Sequence, residues 1–199
     1  MKTQEMRSRI TSGGLDRAFD YLYSEKAPLQ RERYEAAVGE FEKLFGAGRE
    51  VGLFSAPGRT EVGGNHTDHQ QGRVLAAGVN LDVIAVAGRN DDNVIRIQSA
   101  GFPMDTIDLS DVSVRECEKN TAASLIRGVA AKFAALGYRI GGFDAYTTSS
   151  VLKGSGLSSS AAFETIVGTM LNCLYAGGAA TPVQIAQIGQ YLSLIHISE

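Results

Sequence analysis

Helical and strand-like segments alternate along this chain of 199 residues, and the mixture predicts an α+β fold. Apolar residues recur at helical spacing near the N-terminus and again in the second half of the chain. Short β-branched runs bounded by Gly, Pro, Asn or Asp lie between these helical stretches. With 44% hydrophobic residues, the chain is long enough to bury a core, and its length favours one domain or a little more.

The first half of the chain begins with helices and continues into a strand. Helical spacing over 15–24 and 29–46 predicts two helices, the second of which ends at the glycines that follow it. The run VGLFSA then predicts a short strand, which we expect Pro57 and Gly58 to end.

The remaining elements alternate between strands and helices. The runs LDVIAVAGR and NVIRIQSA flank the turn-forming residues NDDN, so we expect these two strands to pair as a hairpin. The other expected elements are a strand at 104–109, a helix at 121–136, a strand at 143–150 and a helix at 163–174.

Composition and charge argue against several classes of protein. The formal net charge of −3, from 19 basic and 22 acidic residues, predicts no basic surface for nucleic acid or an anionic membrane. Cys117 and Cys173 lack CxxC spacing and are expected to be reduced thiols. The sequence has neither the pattern of a signal peptide nor a long apolar run. We therefore expect a cytoplasmic protein whose partners are small molecules.

The stretch PGRTEVGGNHTDHQQG, at 57–72, is almost devoid of apolar residues. Taken alone, Arg59 is as consistent with a solvated charge or a phosphate contact as with catalysis. The spacing of His66, Asp68 and His69 matches no common zinc motif, so we do not expect structural zinc.

A second stretch, KGSGLSSSAAFE, lies just before a predicted helix. Gly154 and Gly156 allow close backbone approach to a ligand, and the free amides and dipole of a helix start suit a phosphate. A glycine-rich connection in which the serines cap the helix is an equally good interpretation of the composition. The P-loop pattern fails because Lys153 precedes the glycines, and the dinucleotide fingerprint fails because Ser159 replaces its third glycine.

Both stretches resemble, in order and spacing, the two signature motifs of the galactokinase family of GHMP kinases. The second matches the pattern G-x-G-L-S-S-S-A from Gly154 to Ala161, and the resemblance covers roughly residues 25–190. The positions that match the first motif are Pro57, Gly58, Arg59, Gly64, His66, Thr67 and Asp68.

The resemblance implies a fold and an activity. The implied fold is that of ribosomal protein S5 domain 2, with a mixed β-sheet backed by helices. The implied reaction is transfer of the ATP γ-phosphate to the C1 hydroxyl of galactose, with ATP and Mg²⁺ as cofactors. By the same resemblance we expect a monomer that binds galactose and ATP but neither nucleic acid nor membrane.

The resemblance also assigns roles to residues. Arg59 is implied to be catalytic, since a permanent cation beside the reacting hydroxyl offsets charge on the moving phosphoryl group. Short, rigid hydrogen-bonding groups suit the hydroxyls of a sugar, and those implied here are Asn65, His66, Thr67 and Asp68. The positions implied to bind the ATP phosphates are Gly154, Ser155, Gly156, Leu157, Ser158, Ser159 and Ser160, with Ser160 also a Mg²⁺ ligand.

Three positions depart from the family pattern. Asn65, His69 and Glu61 stand where family members usually have glutamate, tyrosine and asparagine. Two alternatives therefore stay open, a kinase for a related sugar and a noncatalytic protein that senses galactose and ATP.

The C-terminal end is expected to differ from the family. The resemblance implies an N-terminal helical extension at 1–26 and the family's N-terminal domain, incomplete, at 27–190. Residues 191–199 are expected to be a non-native tail, with Ser193 where an acidic Mg²⁺ ligand is expected. The family's catalytic aspartate and C-terminal domain are expected to be absent, so we expect little or no turnover by the chain as it stands.

Overall fold

A computed structural model describes residues 1–64, 72–151 and 156–197, the side chains of the last range only up to residue 192. The chain begins with three helices, which confirm the helices predicted at 15–24 and 29–46 and add one before them. They are α1 Thr3–Thr11, α2 Asp16–Tyr23 and α3 Ala27–Phe45.

Five strands and three helices follow α3 within the described residues. The strands predicted near 104–109 and 143–150 and the helices predicted near 121–136 and 163–174 are confirmed. In chain order the elements are β1 Gly52–Gly63, β2 Leu75–Arg89, β3 Val94–Ser99, β4 Met104–Asp108, α4 Ala122–Ala135, β5 Phe143–Ser149, α5 Ser159–Leu174 and α6 Pro182–Ile197.

The strands form one mixed sheet in the order β1-β2-β5-β3-β4. β3 and β5 run parallel, while the other neighbours are antiparallel. The predicted α+β class is therefore confirmed. Within the described part of the chain, no helix is long and apolar enough to cross a membrane.

Helices cover both faces of this sheet, and β2 shows how the sequence provides for that. Along β2, Ile84 and Val86 belong to the apolar cluster that includes α1, α2 and α3. Val83, Ala85 and Ala87 alternate with them and belong to the cluster formed with α4, α5 and α6. Because successive side chains point to opposite faces, a strand covered on both sides reads as a continuous apolar run.

The predicted hairpin between β2 and β3 is wrong. β2 pairs with β1 and β5, and β3 pairs with β4 and β5, so that β5 lies between the two strands we expected to be neighbours. The turn formers after β2 instead connect it to β5, since Asn90 donates through Nδ2 to Oδ1 of Asp144 at 2.9 Å. A local turn signal cannot reveal a strand that arrives later in the chain.

The predicted end of the first strand at Pro57 and Gly58 is also wrong, because β1 continues to Gly63. β1 is an edge strand, where a proline removes no hydrogen bond from the interior of the sheet. The pairing with β2 shifts register between Pro57 and Arg59. Arg59 therefore lies within a strand and is held by the sheet.

Candidate functional site

The two sequence motifs meet where β1 passes the start of α5. The backbone N–H of Arg59 donates to the carbonyl oxygen of Leu157 at 3.0 Å. A single main-chain hydrogen bond thus joins the polar motif on β1 to the glycine-serine motif before α5.

Close approach at this junction depends on Gly58. A Cβ atom at this position would lie 3.0 Å from the carbonyl oxygen of Leu157 and 3.2 Å from Cγ2 of Val151. Both separations are tighter than ordinary van der Waals contact. The glycine of the motif therefore lets β1 and the segment before α5 touch.

We expect Gly58→Ala to lower the free energy of unfolding by about 1–3 kcal/mol, because the methyl group overlaps with backbone at the junction. Urea titration followed by circular dichroism measures this change. The matched control is Gly63→Ala on the same strand, since nothing lies within 4 Å of the Cβ position at Gly63. Equal destabilisation by the two substitutions would contradict the packing argument.

The start of α5 leaves its first backbone amides available to a ligand. Ser158 occupies the N-cap position in the left-handed region, with φ 56° and ψ 60°, and its side chain makes no capping hydrogen bond. The first N–H groups of a helix have no acceptor within the helix. Of the two interpretations of this motif, the geometry at Ser158 therefore favours the ligand site over the capped connection.

The side chains around the junction are partly accessible. The Arg59 side chain is 37% exposed, and its Nη1 lies 3.9 Å from Oε2 of Glu61, a distance too long for a hydrogen bond. Ser159 is half-buried and Ser160 is exposed on the first turn of α5. The guanidinium and the helix start therefore face solvent near the Arg59–Leu157 contact.

Several predicted site residues lie outside the described residues. These are the sugar-binding candidates Asn65, His66, Thr67 and Asp68 and two phosphate-loop candidates, Gly154 and Ser155. Their roles stay predictions, supported by the position of the segments that flank them, which end at Gly64 and Val151 on one side.

A buried carboxylate that we did not single out from the sequence lies beside the junction. Asp82 is 3% exposed and pairs with Pro57 across the β1–β2 register. Its Oδ2 accepts hydrogen bonds from Ser55 Oγ at 2.6 Å and from the Tyr23 hydroxyl at 2.5 Å, and its Oδ1 accepts from Arg33 Nη1 at 2.6 Å. The signal that could have found it is a lone aspartate inside an apolar run.

The same cluster reaches the strand that leads to α5. The backbone N–H of Asp82 donates to Ser150 Oγ at 3.0 Å, and Arg33 Nη2 donates to the carbonyl oxygen of Thr148 at 3.0 Å. Burial raises the pKa of Tyr23 and raises that of Tyr34, its hydrogen-bond partner, to about 12, so both hydroxyls stay protonated. The N-terminal helices are thus tied to the ends of the strands that carry both motifs.

A second buried carboxylate, Glu164, lies on α5 and is 3% exposed. Its Oε2 has no hydrogen-bond partner, and burial raises its pKa to about 7. Because a buried polar group is normally paired, this oxygen is an exception that needs an explanation.

Divalent cations fit the start of α5 only in part. In the described portion of the chain, no three His, Cys, Asp or Glu side chains are grouped closely enough to hold a metal ion. Mg²⁺ commonly uses one or two protein oxygens together with substrate phosphates. The Ser160 hydroxyl and the unpaired Glu164 oxygen are oxygen donors of the kind such a site needs.

Comparison with known proteins identifies both motifs. The galactokinase galactose-binding signature matches residues 39–89, and the GHMP kinase N-terminal domain matches residues 124–198. Galactokinases of Streptomyces coelicolor and Lacticaseibacillus casei are both 34% identical, over 148 and 151 residues, or 74% and 75% of this chain. The chain spans 38% of the length of each of these two relatives.

Solved structures show the same fold. The galactokinase of Lactococcus lactis, solved in complex with galactose, superposes with a TM-score of 0.71 at 28% identity, over 81% of this chain and 42% of that protein. The mevalonate kinase of Methanococcus jannaschii has a TM-score of 0.57 at 14% identity, over 70% of this chain and 45% of that protein. The second likeness concerns the fold alone.

Proposed function

This chain belongs to the galactokinase family of the GHMP kinases, and from that premise we propose that the protein is an ATP-dependent kinase that phosphorylates the C1 hydroxyl of galactose. The observation that carries the proposal is the hydrogen bond between Arg59 and Leu157. It sets the sugar motif and the phosphate motif side by side, as transfer between two bound substrates requires. We also propose a cytoplasmic monomer.

The residues at the junction have distinct roles in this proposal. The uncapped amides at the start of α5 bind the phosphates of ATP, because the helix dipole and unpaired N–H groups favour an anion. Ser160 offers its hydroxyl to Mg²⁺, which when bound neutralises charge on the phosphates. Arg59, fixed by its own backbone within β1, offsets negative charge on the phosphoryl group in transfer.

The sugar is held by the segment that follows β1. Asn65, His66, Thr67 and Asp68 provide donors and acceptors for the galactose hydroxyls, with Asp68 as an acceptor. Because Gly64 and Arg59 belong to the same strand-and-turn segment, the sugar and the guanidinium would lie close together.

Calorimetric titration with galactose tests this function. We expect saturable binding by the 199-residue chain, and Asp68→Ala should weaken it about tenfold or more, since a hydrogen bond to a charged group is lost. Asp108→Asn, at the exposed end of β4 on the opposite edge of the sheet, is the control and should bind as the parent does. A folded parent chain that binds no galactose would overturn the proposed substrate.

A related sugar is the second candidate, and the observation that favours it is the replacement at Asn65. Asparagine retains a donor and an acceptor but removes a negative charge from the pocket. Titration with a panel of hexoses decides between the candidates, because the true substrate should bind more tightly than its epimers.

A further inference from the structure

Glu164 is buried where a carboxylate is costly. Its side chain is 3% exposed and its Oε2 has no hydrogen-bond partner, although the surrounding cluster on α5 is apolar. Leaving a buried carboxyl oxygen unpaired costs free energy, so the position calls for a binding partner that the folded chain itself does not supply.

The helix directs this carboxylate towards the phosphate motif. Glu164 follows Ser160 by four residues, so the two side chains share one face of α5. Long side chains on a helix lean towards its N-terminus, which brings the carboxylate back over the turn that carries Ser160.

The neighbouring helix leaves room for the carboxylate. A Cβ atom on Gly189 of α6 would lie 3.2 Å from Oε2 of Glu164, and a Cβ atom on Gly168 of α5 would lie 3.1 Å from Ile185 of α6. These two contacts show that α5 and α6 pack antiparallel, with the later residues of α6 beside the start of α5. The glycine thus opens the space between the helices next to Glu164.

We infer that Glu164 is the carboxylate ligand of the divalent cation that accompanies ATP, with Ser160 as the hydroxyl ligand on the same helix face. This inference rests on the proposed function and adds a ligand to it. One carboxylate, one hydroxyl and phosphate oxygens form the all-oxygen set that Mg²⁺ prefers. A bound cation would also give Oε2 the partner that it lacks.

The test measures metal binding without turnover. Mn²⁺ replaces Mg²⁺, and electron paramagnetic resonance reports free Mn²⁺ as it is titrated into the 199-residue chain with a nonhydrolysable ATP analogue. The variant Glu164→Gln keeps the volume of the side chain and removes its charge. We expect it to weaken Mn²⁺ binding in the ternary complex about tenfold or more, while Asp108→Asn binds Mn²⁺ as the parent does.

Two further readouts separate the possible failures. If Glu164→Gln melts at or above the parent temperature and still binds Mn²⁺ with parental affinity, the carboxylate is structural and the inference is overturned. Binding of the analogue without metal is measured in parallel on the parent chain. If the parent fails to bind it, the nucleotide role of the α5 motif is refuted first, and the metal assignment with it.

Discussion

Asp82→Ala is expected to lower the free energy of unfolding by about 3–5 kcal/mol, which would unfold a marginal domain. The substitution leaves the Arg33 guanidinium, 18% exposed, without its carboxylate. It also removes the acceptor of the Tyr23 and Ser55 hydroxyls. Unpaired donors at a buried site each cost free energy, and a charge costs the most.

Urea titration of the variant measures this loss, with a smaller and a null effect as references. Tyr23→Phe removes one hydroxyl from the cluster but keeps the ring, so we expect a loss of about 1 kcal/mol. Asp92→Ala removes a carboxylate that is 48% exposed and paired with Arg96, and should change stability little. Equal stability of Asp82→Ala and Asp92→Ala would refute the view that this cluster stabilises the fold.

The Asp82 cluster also explains why the N-terminal helices belong to the functional unit. Arg33 of α3 bonds both Asp82 on β2 and the carbonyl of Thr148 on β5. Asp82 in turn lies opposite Pro57, directly before the Gly58 contact with Leu157. Loosening α3 would therefore release the strand ends that hold both motifs together.

The sequence predicts the elements well where one helix face or one strand explains the pattern. The helix now seen at Ala122–Ala135 could be placed because its apolar residues recur at helical spacing. The strand order could not be predicted, because β5 inserts between β2 and β3 through a parallel pairing with β3 that no local signal encodes.

The candidate site shows the same limit. Motif spacing brought attention to Arg59 and to the segment before α5, but their contact depends on a hydrogen bond between residues far apart in sequence. Asp82 and Glu164 have signals that are weak in isolation, each being one acid within an apolar stretch. Whether such an acid is paired, as Asp82 is, or has an unpaired oxygen, as Glu164 does, depends on residues from other elements.

The unpaired state of Glu164 makes stability depend on pH in a defined direction. Burial raises the pKa of this carboxyl from 4.5 to about 7 in the folded chain. Between these values the folded state holds a proton that the unfolded state has lost, so stability falls as pH rises through this window. A shift of this size corresponds to a loss of about 3 kcal/mol once the pH exceeds the folded pKa.

Comparison with Glu164→Gln isolates this effect, since glutamine occupies the same volume but does not titrate. In buffer containing a chelator, the variant should gain stability relative to the parent as pH rises from about 4.5 to above 7, by about 3 kcal/mol in total. Below that window the two proteins should differ by a constant amount, because the parent carboxyl is then protonated in both states. Urea titrations at a series of pH values measure the difference, and a difference that stays constant across the window would show that Glu164 ionises in the folded chain as freely as it does in the unfolded one.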